Sequence, residues 1–180
     1  MKKLIVVIGC VGIFTLGFFI NDLSINNNSK SGKITDYKDA EYKISGEKIK
    51  LEDGVAETIT APGSASKTVT KYFGNKVNLD LNDDGWDDVV FLLSQETGGS
   101  GIFYYVVGAL YTEKGYIGSE GFFLGDRIAP QTTEKSDDKV VVVNYADRAP
   151  GESFSVQPSF GISKWLLLNT ETMKFSEVAR

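Results

Sequence analysis

The 180-residue chain has no histidine at all and a single cysteine, Cys10. The first absence removes Ser-His-Asp and Cys-His catalysis and imidazole-bound zinc. The second removes disulfides, because Cys10 lies inside an apolar N-terminal run and leaves none for the rest of the chain. Basic residues are few: 19 against 24 acidic, net −5, with no Lys/Arg cluster. That balance argues against nucleic acid as a partner. No helical periodicity of useful length is found after the N-terminus, although a short helix near Thr35–Ala40 is compatible with the pattern.

What the chain has in abundance begins at its N-terminus. Met1-Lys2-Lys3 precedes Leu4 to Ile20, about 17 residues without charge or proline. Three readings compete. A cleaved signal peptide wants a small-x-small site, but the run ends Phe18-Phe19-Ile20-Asn21-Asp22. Val7-Ile8-Gly9-Cys10 resembles a lipobox, yet the apolar run continues well past Cys10. An uncleaved signal-anchor fits best, and the leading lysines place the body outside the cytoplasm. The expected organisation is a transmembrane segment over 1–22, a polar linker over 23–36 and a β domain over 37–180. The expected location is the cell membrane, single-pass, with a secreted protein or a lipoprotein as the alternative.

From Tyr37 the pattern is that of β structure. Tyr42–Leu51 alternates around Ser45-Gly46 and predicts a hairpin. Strands are predicted over Val55–Ile59, Thr68–Phe73 (closed by Gly74-Asn75), Val89–Ser94, Ile102–Tyr111, Tyr116–Leu124, Val140–Tyr145 and Ser163–Leu168, with a short edge at Met173–Val178. The unbroken apolar character of Val89–Leu93 and of Ile102–Tyr111 predicts burial on both faces. The expected class is all-β, a mainly antiparallel sandwich or barrel, with one N-terminal transmembrane helix.

The densest chemistry is Asp80-Leu81-Asn82-Asp83-Asp84-Gly85-Trp86-Asp87-Asp88, which places five carboxylates in nine residues. Calcium takes six to eight oxygens, supplied by short loops at alternate positions. With Asp80 as position 1, Asn82, Asp84 and Asp88 fall at 3, 5 and 9. Trp86 supplies a backbone carbonyl at 7, and Gly85 stands at the sharp turn at 6. Position 12 is Phe91 rather than Glu, and no helix precedes the loop. The same residues also suit a solvated hairpin turn. Against that stands the mutual repulsion of carboxylates this close, which a cation relieves.

The loop, D-x-N-x-D-G-x-x-D before an apolar strand, resembles the calcium loops of FG-GAP and VCBS-type β repeats. That resemblance implies Asp80, Asn82, Asp84 and Asp88 as side-chain ligands and Trp86 as a carbonyl ligand. The body also resembles an uncharacterised family of small bacterial exported or membrane-anchored β-domain proteins. The likeness is carried by 61–67, Gln95–Gly101, Gly125–Thr133 and Val143–Glu152. It implies an envelope setting and a calcium loop, and it implies no reaction.

Two corners recur, Asp126-Arg127-Ile128-Ala129-Pro130 and Asp147-Arg148-Ala149-Pro150, with two strands between them. A meander returns both to one end of the sheet. Asp126, Arg127, Asp147 and Arg148 are therefore a candidate ligand or partner corner, since arginine forks suit carboxylates and sugar hydroxyls; each pair could equally cap its own turn. A two-carboxylate glycosidase would draw on Glu96, Glu120, Asp126, Asp147 and Glu152. Ser64-Ala65-Ser66-Lys67 matches S-x-x-K, but it precedes a strand where that signature opens a helix. The leading expectation is a non-enzymatic, membrane-anchored, calcium-binding module of the bacterial envelope, with an envelope protein or a glycan as partner. The alternatives are a calcium-dependent carbohydrate-active enzyme and an inhibitor or partner-binding protein.

Overall fold

Strands β5 (Asp88–Glu96) and β6 (Phe103–Thr112) lie side by side at the centre of the molecule and are buried along most of their length. The computed structural model describes residues 35–59, 63, 66–136 and 139–179. All of its paired strands are antiparallel neighbours. The N-terminal segment expected to cross a membrane lies outside the described residues. Among the described residues no helix is long and apolar enough to do so.

The central sheet runs β3 (Val55–Ile59), β4 (Lys67–Leu79), β5, β6, β7 (Gly115–Gly118), with β8 (Phe122–Asp126) also paired to β6. A second sheet holds β9 (Ala129–Lys135), β10 (Val140–Asp147), β11 (Phe160–Asn169) and β12 (Lys174–Glu177). A separate hairpin joins β1 (Glu41–Ile44) to β2 (Glu47–Lys50) through Ser45-Gly46, both at positive φ. That is the turn geometry whose twist matches paired strands.

The period-2 geometry of a strand explains why β5 and β6 are apolar throughout. Val90, Leu92, Val106 and Leu110 face the second sheet and pack with Val141, Val143, Tyr145, Leu166 and Leu168. Val89, Phe91, Leu93, Tyr105 and Val107 face the other way and pack under the hairpin with Ala40, Tyr42, Ile44, Ile49 and Leu51. The fold is therefore three layers: hairpin, central sheet, second sheet. Each layer is open, so of the sandwich and barrel alternatives the sandwich is found, with the hairpin as an added lid. A 3₁₀ turn, Tyr37–Asp39, leads into the lid and is capped by Asp36, whose carboxylate accepts from the Lys38 N–H at 2.8 Å.

Several strand boundaries differ from the sequence reading, and β9, over Ala129–Lys135, has no counterpart in it. β4 does not close at Gly74-Asn75. These residues take positive φ and shift the register, and the chain continues so that Val77, Asn78 and Leu79 pair with Val90, Val89 and Asp88. A glycine inside a strand pattern here marks an irregularity and not an end. The segment Tyr116–Leu124 is two strands, β7 and β8, interrupted where the lid docks. There Lys43 N–H donates to the Ser119 carbonyl (3.1 Å) and Gly121 N–H to the Lys43 carbonyl (2.8 Å). β11 starts at Phe160, three residues early, because its pairing with β10 extends to Asp147.

Candidate functional site: the acidic loop and its surroundings

The acidic loop joins β4 to β5 and is pinned at both ends by the core. Leu79 and Leu81 are buried before it, and Val89 and Val90 after it. Asp80 lies between the two leucines and turns its carboxylate into the loop. Its Oδ1 accepts from Asp83 N–H (2.7 Å) and Asn82 N–H (3.2 Å), and its Oδ2 accepts from Gly85 N–H (2.9 Å). Partial burial pushes the Asp80 pKa up, but the backbone donors together outweigh it and hold the carboxyl below its ordinary value. Asp84 Oδ1 accepts from Trp86 N–H (2.8 Å) and Oδ2 from the Asn82 amide (2.9 Å). Asp83 and Gly85 take φ of 63° and 84°, which winds the chain tightly enough for these short-range bonds.

Asp88 is wholly enclosed. Its two oxygens accept from Leu81 N–H (2.9 Å) and Tyr111 N–H (2.8 Å), so it ties the loop entrance to the end of β6. Burial raises its pKa above the ordinary carboxylate value, and the charges of Asp84 and Asp80 add to the rise. Asp83 points away from this centre and forms an ion pair with Lys139. Asp87 and Trp86 are exposed, and Trp86 leans on Tyr111 at 5.5 Å between ring centroids.

The donor set is all oxygen, which suits a hard cation. Asp88 feels the charges of Asp80 and Asp84, but the oxygens of all three are engaged with backbone N–H groups and, for Asp84 Oδ2, the Asn82 side-chain amide. Among the described residues no three Asp, Glu, His or Cys side chains are gathered as a metal-holding group. Calcium would have to draw the Asp80, Asp84 and Asp88 side chains inward. The winding of the loop and the oxygen chemistry fit calcium; the convergence of ligands is what binding itself would have to supply.

The two Asp-Arg corners meet at one end of the molecule. Arg127 forks onto Asp126, with Nη2 to Oδ2 at 2.8 Å, and Asp126 also accepts from Ile102 N–H at 2.9 Å. Arg148 donates to three backbone carbonyls: Val156 (2.8 Å), Arg127 (2.9 Å) and Phe154 (3.4 Å). The Phe154 ring lies 4.0 Å from the Arg127 guanidinium carbon and 5.3 Å from that of Arg148. Asp147 accepts from Arg148 N–H at 2.7 Å and Glu152 from Ala149 N–H at 2.8 Å. The Arg127 guanidinium is thus committed to its own corner, and that of Arg148 to its own loop and to the Arg127 carbonyl of the other corner. No local pattern marks Phe154, whose part in the corner depends on the folded path of the loop before β11.

The carboxylates weighed for glycosidase chemistry are spread and paired. Glu96 bonds Lys71 (3.2 Å), and Glu120 bonds Lys43 (3.1 Å) with Lys174 at 3.5 Å. The hydrogen bond from Lys43 holds Glu120 below its ordinary pKa, and that from Arg127 holds Asp126 below its own. A general acid at neutral pH needs the opposite shift. Neither Glu120 nor Asp126 has it. Lys67, of the S-x-x-K match, opens β4 and bonds Glu57 at 2.6 Å. No family model, curated protein or solved structure matches this chain.

Proposed function

We propose that the chain is a membrane-anchored, extracytoplasmic β domain that works by binding rather than by catalysis, with one calcium ion held by the Asp80–Asp88 loop. The observation that carries the calcium reading is Asp88. A fully enclosed carboxylate, with Asp80 and Asp84 acting on it as like charges and its pKa driven up by burial, is costly to ionise. A divalent cation bound between these groups would offset that cost. Asp80, Asn82, Asp84 and Asp88 would supply side-chain oxygens and Trp86 its carbonyl. The membrane anchor is proposed for residues 4–20 on their apolar length alone.

Thermal unfolding of the full-length chain, with calcium and with chelator, tests the ion. At a calcium concentration of a hundred times Kd, linkage adds about 2.7 kcal/mol, which raises the midpoint by roughly 10 °C for a domain this size. The Asp84→Ala variant should lose that rise and keep the chelator midpoint. A wild-type midpoint indifferent to calcium would sink the reading.

A second binding surface has an observation in its favour. Phe154, 55% exposed, stands beside Arg127 and Arg148, and Phe160, 54% exposed, pairs with Asp147 at the same end. Apolar rings rimmed by charge are the usual makings of a protein contact. An envelope protein seated there is the partner reading. Phe154→Ala combined with Phe160→Ala should abolish capture of such a partner while leaving the calcium response intact.

A further inference from the structure

The outer strands of both sheets are mostly tied to their surroundings. The lid bonds Ser119 and Gly121 next to β7, the Leu124 carbonyl of β8 accepts from the Tyr145 hydroxyl (3.3 Å), and the Gln131 carbonyl of β9 accepts from the Asn75 amide (3.1 Å). Along β2 and β3 such ties stop after one pair. Glu52 and Val55 exchange main-chain bonds of 2.9 and 3.1 Å around Asp53-Gly54, which take φ of 50° and 80°, so the two strands start as a hairpin. They then part, because β2 belongs to the lid and β3 to the central sheet. Two adjoining cavities of about 440 and 400 Å³ fill the gap and share Lys48, Ile49 and Thr58 in their walls.

In an antiparallel pair, alternate residues bond the partner strand and those between them turn their N–H and C=O outward. Tyr72 N–H donates to the Gly54 carbonyl at 2.7 Å, which sets the phase of β3: Ala56 and Thr58 bond β4, and Glu57 and Ile59 face the gap. Leu51 N–H donates to the Ala40 carbonyl at 3.1 Å, which sets the phase of β2: Lys48 and Lys50 face the gap. Among the described residues no main-chain bond reaches the outward groups of these four. A row of main-chain donors and acceptors at the two-residue repeat of a strand is matched by another extended main chain.

The side chains say what kind of chain. Ala56 packs with the lid cluster, so Thr58 is on the lid side of β3, and Glu57 and Ile59 are on the other. Ile59 is 68% exposed. Gln95 is only 7% exposed, yet it lines the wide end of the gap with Thr58 and Thr97. One end of its amide is spent on Thr70 at 3.0 Å, and among the described residues the other end has no partner. The banks close their own charges, Lys48 on Glu41 at 2.8 Å and Lys67 on Glu57 at 2.6 Å, so charge complementarity favours an uncharged occupant. We propose that the β2–β3 groove binds an extended, uncharged segment of another protein, laid antiparallel along β3. Its apolar side chains lie beside Ile59, and its hydroxyl or amide side chains lie beside Thr58 and Gln95. A second copy fits less well, because pairing β3 with itself about Glu57 opposes two carboxylates, and β2 walls the groove against the rim of a folded sheet. The groove uses no residue of the acidic loop or of the Asp-Arg end.

The test uses the full-length chain in a maltoside detergent and a fluorescein-labelled peptide of alternating valine and threonine, about seven residues long. Because the main chain is what is recognised, a generic sequence suffices. Its anisotropy should rise saturably, with Kd of about 0.1 mM order, in chelator as well as in calcium. The valines, opposite Glu57 and Ile59, are the residues whose amides bond β3. Methylating the valine amides should therefore weaken binding about ten-fold, and methylating the threonine amides less than about three-fold. Ile59→Pro removes a donor from the open edge and none from the sheet, and should weaken binding about ten-fold with a thermal midpoint near that of the wild type. Ile59→Ala keeps the main chain and should weaken it about two-fold. Equal effects of the two methylated peptides, or of the two Ile59 variants, would overturn the proposal in favour of a merely apolar surface. Saturable binding of a neutral oligosaccharide with no response to the peptide would overturn it in favour of a sugar site. Dimerisation that Ile59→Pro abolishes, without peptide binding, would overturn it in favour of a second copy. No change in anisotropy at about ten times the expected Kd would overturn it outright.

Discussion

Replacing Gly118 by alanine is expected to lower stability by about 3 kcal/mol, or roughly 10 °C in the unfolding midpoint. A Cβ at this position would lie 2.2 Å from the Glu41 carbonyl oxygen and 2.6 Å from the Tyr42 ring. Overpacking is mild where a flexible side-chain end can move away. Here the nearest atom is backbone, and that backbone is held. Lys43 bonds Ser119 on one side and Gly121 bonds Lys43 on the other, so the lid cannot back off without breaking both. Tyr42 cannot swing aside either, since it is buried and its ring packs edge-on against Phe91 at 5.5 Å. The check is a pair of denaturant titrations, with Gly161→Ala as control. A Cβ on Gly161 meets nothing within 4 Å, and that variant should unfold with the wild type. If the two variants behave alike, the lid is not held as described.

The second large effect is expected at Asp88. In Asp88→Ala the N–H groups of Leu81 and Tyr111 lose their acceptor inside the protein. Each unsatisfied group costs about 1–3 kcal/mol, so roughly 3 kcal/mol net is expected after relief of the buried charge. Asp88→Asn keeps one acceptor oxygen and no charge, and should lose only about half as much in chelator. It should nevertheless lose the calcium response, which separates the structural duty of this residue from the proposed metal duty.

The pH dependence of Asp88 has its own sign. The folded pKa is raised, so the native state holds this proton more tightly than the unfolded chain between the two values. In chelator the group therefore favours the folded state as pH falls through that window, and its penalty is fully present above the folded pKa. Asp80, Glu120 and Asp126 are depressed and run the other way; their contributions are present above the unfolded pKa and lost as pH falls through the folded one. Stability of wild type minus Asp88→Asn, followed from pH 7 downward in chelator, should rise toward the acid side. Calcium binding should weaken over the same range, because it needs the carboxylate.

The all-β class and the double burial of β5 and β6 were legible because strand periodicity is local. An apolar residue at every position of Val89–Leu93 leaves no face for water. The sequence could not say what covers the second face, because the lid is made by residues 40–51, far along the chain. Alternation in β1 and β2 announced a hairpin, but a hairpin with one apolar side can sit on any apolar sheet. Gly74-Asn75 was read as an end because punctuating residues serve breaks and bulges equally; what decides is whether Val77 and Leu79 find partners on β5. The break at Ser119–Gly121 follows from contact with Lys43, 76 positions earlier, and leaves no mark in local pattern beyond two glycines.

The acidic loop was legible as a tightly wound turn rich in oxygen. Spacing could not distinguish a side chain held for an ion from one held for a backbone N–H. Asp80 and Asp88 serve backbone groups in the structure, and both duties favour the same residue type. The contact between Trp86 and Tyr111 was invisible for a different reason. Trp86 and Tyr111 are 25 positions apart and meet only because β5 and β6 pair in the register that sets Val89 against Ala109. An exposed tryptophan among aspartates was the one available signal, and the loop pattern accounted for its carbonyl without asking what its ring was for.

The order of strands within each sheet has a consequence for how the molecule is made. β3 to β7 lie in sequence order across one sheet, and β9 to β12 across the other. No strand has to be slotted between two that are already joined. A chain emerging from its N-terminal end can add each ribbon to the rim of the one just finished, so loop closure is short at every step within a sheet. The long-range steps are two, the docking of the lid and the stacking of the two sheets, and those are where refolding should be slowest.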